Sequence, residues 1–326
     1  MSPYSDEFGG CVLNTTINLY SYCFLTPNAD GTLIFEATDR LERFEALALP
    51  QIALEGSVLL HKAVYNRVVS QFNDGKPLAC KVTTYSDAPA GSGLGTSSTM
   101  VVTILAAFVE WLKLPLSEYE IARIAYEIER LELGLAGGKQ DQYAAAFGGF
   151  NFMEFHQDDK VIVNPLRIKS SISNELQAGL LLYYTGVSRD SAKIISEQIK
   201  NVSNKQQQSL QAMHQVKADA IQMKNHLLKG ELGSFARLLG RSWEAKKQMA
   251  TVISNPEIDL VFDKALSAGA ISGKVSGAGG GGFIMFMLDP SKRENVRRAL
   301  EPMGGQIMFP HFTPTGAESW IAGKSS

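Results

Sequence analysis

The stretch DAPAGSGLGTSSTM, residues 87–100, sets glycines at 91, 93 and 95 and runs directly into the apolar segment VVTILAAFVEWL. A chain that turns this sharply into a helix leaves the first-turn N–H groups facing the turn, where the helix dipole adds roughly half a positive charge. An anion, most simply a phosphate, is the natural guest of such a place. The Walker form G-x-x-x-x-G-K-[ST] is absent, because no lysine lies between Gly91 and Ser98. A plain strand-to-helix turn with Thr96 or Ser97 as N-cap accounts for the same residues equally well.

A second glycine run, KVSGAGGGGFIMF at 274–286, shifts the balance. Gly277, Gly279 and Gly282 fit G-x-G-x-x-G, but a strand rather than a helix follows, so a dinucleotide-binding turn is excluded. A hairpin needs fewer glycines than this, and the excess implies close packing against a ligand or another glycine loop. The third stretch, ERLELGLAGGKQDQYAAAFGG at 129–149, places Asp141 at the opening of an alanine-rich helix. Asp141 reads either as a helix cap or as a carboxylate beside a bound phosphate. Upstream, Glu127 has arginines at helical spacing, whereas Glu129 has none and borders the stripe of Ile121, Ile124, Ile128 and Leu131. A carboxylate so placed suits Mg²⁺, with Glu132 as the competing candidate.

The remaining chain alternates helical and strand periods over 326 residues, with no repeat or low-complexity tract. Helices are expected over 57–72, 96–112, 116–133, 205–230, 235–250, 257–268 and 291–302. Strands are expected over 79–86, 150–155, 160–166, 179–186, 282–288 and 304–310, giving an α+β protein of two layers. The polar run KSSISNEL marks the junction between two domains, 1–173 and 174–326. A net charge of −2 gives no basic footprint for nucleic acid, and no apolar run is long enough for a membrane span. Cys11, Cys23 and Cys80 form no C-x-x-C pair, which fits free thiols in a cytoplasmic protein.

The three stretches together resemble the superfamily of galactokinase, homoserine kinase, mevalonate kinase and phosphomevalonate kinase, the GHMP kinases. PAGSGLGTSS is similar to its phosphate loop, KVSGAGGGG to its C-terminal glycine motif, and GLAGGKQDQ to its galactokinase-like Asp-Gln segment. Within the superfamily, NTTIN, LGLAGGKQDQYAAAFGGFNFMEF and YTGVSRDSA most resemble bacterial heptose 7-phosphate kinases, with L-fucose kinase domains the nearest rival.

The resemblance implies an N-terminal ATP-binding α/β domain, a ferredoxin-like C-terminal domain, and phosphoryl transfer from ATP to a sugar or sugar phosphate. A homodimer is compatible with it. Carried over by position, Pro89, Gly91, Ser92, Gly93, Leu94, Gly95, Thr96, Ser97 and Ser98 would cradle the ATP phosphates, and Ser98 and Glu129 would hold Mg²⁺. Asp141 would face the acceptor hydroxyl, with Lys139 steadying it or meeting a substrate phosphate. Gly137, Gly138, Arg189, Gly277, Ala278, Gly279 and Gly280 would line the acceptor side. The family also begins with a strand and a segment of the form A-P-L-R-x-x-x-x-G-G-G-T-D, for which Met1 to Tyr4 offers no counterpart. A first strand is therefore expected to be missing, and a non-catalytic binder of sugar and nucleotide is the competing function.

Overall fold

The computed structural model describes residues 4–186, 191–204 and 206–323. Its first element is a helix, α1 (Tyr4–Phe8), whose Tyr4 ring is buried in the core of the C-terminal half and hydrogen-bonds through its hydroxyl to His214 Nδ1 at 2.8 Å. Three strand groups follow from alternation of apolar and polar residues. β1 (Gly10–Asn14) leads into the short β2 (Thr16–Ile17), and then come β3 (Ser21–Pro27), β4 (Thr32–Ala37) and β5 (Glu42–Leu47). In β4 the alternate residues Leu33, Phe35 and Ala37 are buried, whereas β5 exposes Arg43, Glu45 and Leu47 as an edge strand does.

Helix α2 (Leu59–Phe72), strand β6 (Cys80–Ser86) and helix α3 (Thr96–Leu112) complete the frame of the first half. β6 pairs antiparallel with β3 and parallel with β4, giving the order β3-β6-β4-β5. Helix α3 buries Met100, Val101, Val102, Ile104, Leu105 and Phe108, and is therefore apolar on most of its circumference. Each such fully buried aliphatic side chain stabilises the fold by about 1.5–3 kcal/mol. Helix α4 (Glu118–Tyr126) starts at a capping box between Ser117 and Glu120. The continuous helix expected to 133 is broken, because Glu127–Glu132 form a π-helical turn. Helix α5 (Gln140–Phe147) follows, and then β7 (Asn151–Phe155) and β8 (Val161–Pro165), which pair with β1 in the order β1-β7-β8.

Residues 170–178, expected as a polar junction, form helix α6 (Ser170–Ala178), anchored by the single buried side chain Leu176. β9 (Leu180–Tyr184), buried throughout, leads to helices α7 (Ser191–Ser203), α8 (Gln207–Lys229), α9 (Leu232–Lys247) and α10 (Pro256–Ser267), the last capped by Asn255 with proline at its first position. Strands β10 (Ala270–Val275) and β11 (Phe283–Leu288), helix α11 (Arg293–Leu300) and strand β12 (Gln306–Met308) complete an antiparallel sheet of order β10-β11-β9-β12. Strand, helix, strand, strand, helix, strand in this spatial order is the ferredoxin-like arrangement.

One core gathers Phe35, Val68, Val82, Ile104 and Phe108, and another gathers Tyr183, Trp243, Phe262 and Phe286. The chain ends cross between the halves. β13 (Phe312–Thr313) pairs with β2, and Gly316 packs so closely on Ala146 that a Cβ there would stand 2.2 Å from the Ala146 carbonyl oxygen. Among the described residues no helix is long and apolar enough to cross a membrane.

Candidate active site

The loop before α3 takes its shape from Gly91, Gly93 and Gly95, at φ 72°, 83° and 75°. Only glycine adopts these angles without steric cost. Gly95, not Thr96 or Ser97, is the N-cap of α3, and no side chain accepts from the helix's first turn. The amides of Thr96, Ser97 and Ser98 are therefore presented to the loop with no side-chain acceptor of their own. Thr96 instead turns back, its hydroxyl 3.4 Å from the Pro89 carbonyl and 3.3 Å from the Ser92 hydroxyl.

The second glycine run lies directly against this loop. Phe283 N–H donates to the Ser92 carbonyl at 2.9 Å, and a Cβ on Gly282 would fall 2.2 Å from that same oxygen. A Cβ on Gly93 would fall 2.9 Å from the Ser276 carbonyl, and one on Gly277 would fall 2.9 Å from the Gly93 backbone. The excess of glycine is thus explained by backbone packed on backbone. Leu94 packs against a further apolar cluster of the C-terminal half that includes Leu182, Tyr184, Leu227 and Phe283.

The cleft between the halves has a volume of about 900 Å³ and is lined by Gly93, Leu94, Thr96, Asp141 and Gly277 among others. Of the described glycines of the second run, Gly277 is the one that lines it, together with Lys274 and Ser276. A Cβ on Gly279 would meet the Ile253 carbonyl at 2.9 Å, Gly280 N–H donates to that carbonyl at 2.7 Å, and Ala278 accepts from Gln198 at 3.5 Å. Ala278, Gly279 and Gly280 therefore support the loop rather than line the acceptor side. Gly137 and Gly138 likewise stand outside the lining. The Arg130 guanidinium donates to the carbonyls of Gly138 at 3.3 Å and Ala136 at 3.2 Å, and a Cβ on Gly137 would collide with it at 2.5 Å. Arg189 lies outside the described residues.

Glu129 is fully buried, on the π-helical turn. The wider turn carries a bond from Leu133 N–H to the Ile128 carbonyl, five residues back, and π turns of this kind recur at functional sites. The hydroxyl that meets Glu129 belongs to Ser97, 2.8 Å from Oε1, and Gln142 donates to Oε2. The expected partner Ser98 is buried; successive helical residues diverge by about 100°, so a helix that aims Ser97 at Glu129 turns Ser98 away. Among the described residues the nearest cation to Glu129 is the Arg130 guanidinium at 3.9 Å. Glu132, the competing candidate, is paired with Arg67, as is Glu127 at 2.7 Å.

Asp141 occupies the first turn of α5 and makes no cap there. Its carboxylate accepts from Gln140 at 3.1 Å. Desolvation raises its pKa above the usual carboxylate value, and the negative charge of Glu129 adds to the rise. Lys139 is directed elsewhere: its ammonium pairs with Asp159 in the β7–β8 turn and sits 5.1 Å from the Tyr126 ring centroid. The expectation that it steadies Asp141 is not met in this geometry.

Sequence reasoning passed over the cationic side chains that do line the cleft, Lys217, Lys246 and Lys274. Burial and the neighbouring charge of Lys274 push the Lys246 ammonium down to about 7, and burial also lowers Lys274. The available signal was a lysine inside the otherwise uncharged strand AISGKV, and a second one turn after Ser242.

Residues 59–149 match the model of the GHMP kinase N-terminal domain, and residues 223–304 match that of the GHMP kinase C-terminal domain. The chain is 48% identical over 317 residues to a D-glycero-alpha-D-manno-heptose 7-phosphate kinase of Campylobacter jejuni, covering 97% of this chain and 93% of the relative. A solved structure described as a D-glycero-D-manno-heptose 1-phosphate kinase from Bacteroides thetaiotaomicron superposes with a TM-score of 0.85 at 48% identity, covering 99% of this chain and 94% of the other. An L-fucokinase/L-fucose-1-P guanylyltransferase of Bacteroides fragilis is 28% identical over 325 residues, but the match spans only 34% of that protein. The matched domains, the identity across nearly the whole chain and the shared fold place this chain in the GHMP kinase family.

Proposed function

We propose that this chain transfers the γ-phosphoryl group of ATP to the anomeric hydroxyl of D-glycero-D-manno-heptose 7-phosphate, giving the 1,7-bisphosphate and ADP. The observation that carries the reading is the contact of Asp141 with the phosphate loop, where a Cβ on Gly95 would stand 3.0 Å from Asp141 Cβ. A carboxylate is thereby held beside the uncapped N-terminus of α3, next to the position a terminal phosphoryl group would take. The sugar follows from the relatives of 48% identity, both described as heptose phosphate kinases.

In this reading the amides of Thr96 to Ser98 bind the ATP phosphates, with Gly91, Gly93 and Gly95 letting the backbone approach. The anomeric oxygen attacks the γ-phosphorus, the bond from that phosphorus to the β-bridging oxygen breaks, and Asp141 receives the hydroxyl proton. An anomeric hydroxyl is more acidic than an ordinary alcohol, which suits a carboxylate of raised pKa. Ser97 and Glu129 form an oxygen donor set that fits Mg²⁺, since the buried carboxylate meets a hydroxyl and an amide and, among the described residues, no cation nearer than 3.9 Å. Among the described residues no cluster of three or more His, Cys, Asp or Glu could hold a metal, so water and phosphate oxygens would complete the shell. Mg²⁺ there supplies charge neutralisation for the transferring group. We assign the nucleotide-binding domain to 1–173 and the ferredoxin-like domain to 174–326.

The test is ADP release with heptose 7-phosphate, heptose 1-phosphate, L-fucose, galactose and mannose as acceptors, with the product mapped by phosphorus NMR. Turnover with heptose 7-phosphate yielding a 1-phosphate is expected. A preference for fucose, or no acceptor-dependent ADP release at all, overturns the assignment.

A further inference from the structure

Four polar side chains on two packed elements of the C-terminal half converge on the cleft. Helix α9 carries Ser242 and Lys246 one turn apart and hence on one face. Strand β10 carries Lys274, and Ser276 lies two residues further on, toward the same side. Helix α9 packs on β10, and all four side chains line the cleft with Asp141 and Gly277. Three of them are far inside it, and Lys274 is half-buried. Ser242 is fully buried, Ser276 is 6% exposed and Lys246 is 9% exposed.

What these groups lack is an anionic acceptor. The hydroxyls of Ser242 and Ser276 have no hydrogen-bond partner among the described residues. The Lys246 ammonium donates to the Gly277 carbonyl, a neutral group. Asp219 attracts Lys274 from a distance; its Oδ1 is engaged by Arg241 and Gln215, and its buried Oδ2 makes no hydrogen bond to Lys274 or to any other described residue. Lys246 is buried and Lys274 half-buried, and two neighbouring cations so placed without a bound counter-charge are unfavourable, so a site that tolerates them is set up for an anion. A phosphate monoester, with a charge of about −1.5 to −2 and three acceptor oxygens, matches two ammonium and two hydroxyl donors.

We infer that Ser242, Lys246, Lys274 and Ser276 seat the phosphate already carried by the sugar acceptor, separately from the loop that takes the nucleotide phosphates. The inference rests on the reading of the chain as a sugar-phosphate kinase. The nucleotide has the amides of α3, whereas a second phosphate needs its own donors. Elsewhere Lys139 pairs with Asp159 and Arg130 holds the 135–138 loop, while Lys217, also on the cleft, donates to the Phe8 carbonyl at 2.6 Å beside α1 and apart from the α9–β10 pair.

The experiment compares the full-length wild type with Lys246→Met, Lys274→Met and the double variant Ser242→Ala/Ser276→Ala. Acceptors are D-glycero-D-manno-heptose 7-phosphate and the same heptose without phosphate. Each lysine variant should raise KM for the phosphorylated sugar about ten- to a hundredfold and shrink its preference over the unphosphorylated one. Affinity for a non-hydrolysable ATP analogue should stay within about twofold. The serine pair should move the preference the same way by a smaller factor. Without ligand, the lysine variants should melt no lower than wild type, because a buried repulsion is removed.

Calorimetric titration of inorganic phosphate, with the nucleotide site filled by the ATP analogue, separates the site from the reaction. Phosphate binding lost in the variants while the wild type ignores heptose 7-phosphate would retain the anion seat and reject the substrate. A wild type that uses heptose 7-phosphate, with variants of unchanged preference, overturns the seat. So does a loss confined to ATP affinity, which would give the four groups to the nucleotide.

Discussion

Gly95 and Asp141 touch: a methyl group on Gly95 would stand 3.0 Å from both Cβ and Cγ of Asp141. The space beside this glycine is filled by the proposed base, so its lack of a side chain sets where that base sits. Gly95→Ala also places alanine at φ 75°, which costs about 1–2 kcal/mol. Turnover is expected to fall about tenfold or more, with a smaller change in ATP affinity, as steady-state kinetics and analogue binding would reveal. A fully active Gly95→Ala enzyme would contradict the placement.

Ser97 and Ser98 should behave differently despite being neighbours. Ser97→Ala removes the hydroxyl that meets Glu129 and should raise the Mg²⁺ concentration for half-maximal activity about tenfold. Glu129→Gln should raise it at least as much, while Glu132→Gln and Ser98→Ala leave it near wild type. Metal titrations of the four variants check the order, and dependence on Ser98 instead would reverse the assignment.

The proton acceptor sets the acid limb of the pH profile. Asp141 must be ionised to take a proton, and its pKa is raised by desolvation and by Glu129, above the ordinary 3.8. Turnover is therefore lost, as pH falls, at a higher pH than an ordinary aspartate would give. Glu129→Gln removes a neighbouring negative charge, so the limb should move to lower pH. Profiles of kcat at saturating substrates and metal test the sign, and an upward move counts against the base.

Gly282 tests the seam between the two glycine runs. A Cβ there would collide with the Ser92 carbonyl at 2.2 Å, whereas a Cβ on Gly304, at nearly the same φ, meets nothing within 4 Å. Gly282→Ala should cost more than about 2 kcal/mol and weaken ATP-analogue binding, while Gly304→Ala pays only for its backbone angle. Thermal melting and calorimetry of both variants separate contact from conformation, and equal effects would deny the seam its role.

Local patterning carried much of this architecture. Helix α3 spans Thr96–Leu112, as its unbroken apolar run predicts, and both glycine runs lie where a turn was read. Strands β3 to β5 carried alternation that was legible in TLIFEA but escaped the reading of the sequence, and α6 was taken for a junction because only Leu176 is buried in it. The site was less legible than the scaffold. The π-helical turn that carries Glu129 leaves no spacing signature, so an ideal helix gave no means of choosing Ser97 over Ser98. Lys246 and Lys274 meet only through the packing of α9 on β10, and the pairing of Lys139 with Asp159 depends on the turn after β7. Such contacts are made by tertiary structure, which single-sequence periodicity does not encode.

The phosphate loop is moulded by backbone that is synthesised long after it. Ser92 and Gly93 emerge early, yet the groups that fix their path, Ser276, Gly277, Gly282 and Phe283, follow roughly 180 residues later. On this connectivity the proposed nucleotide site acquires its final shape only when both halves of the chain are present. A nascent chain that stops after the first core holds every residue of the loop and still lacks the backbone of residues 276–283 that it packs against in the complete structure.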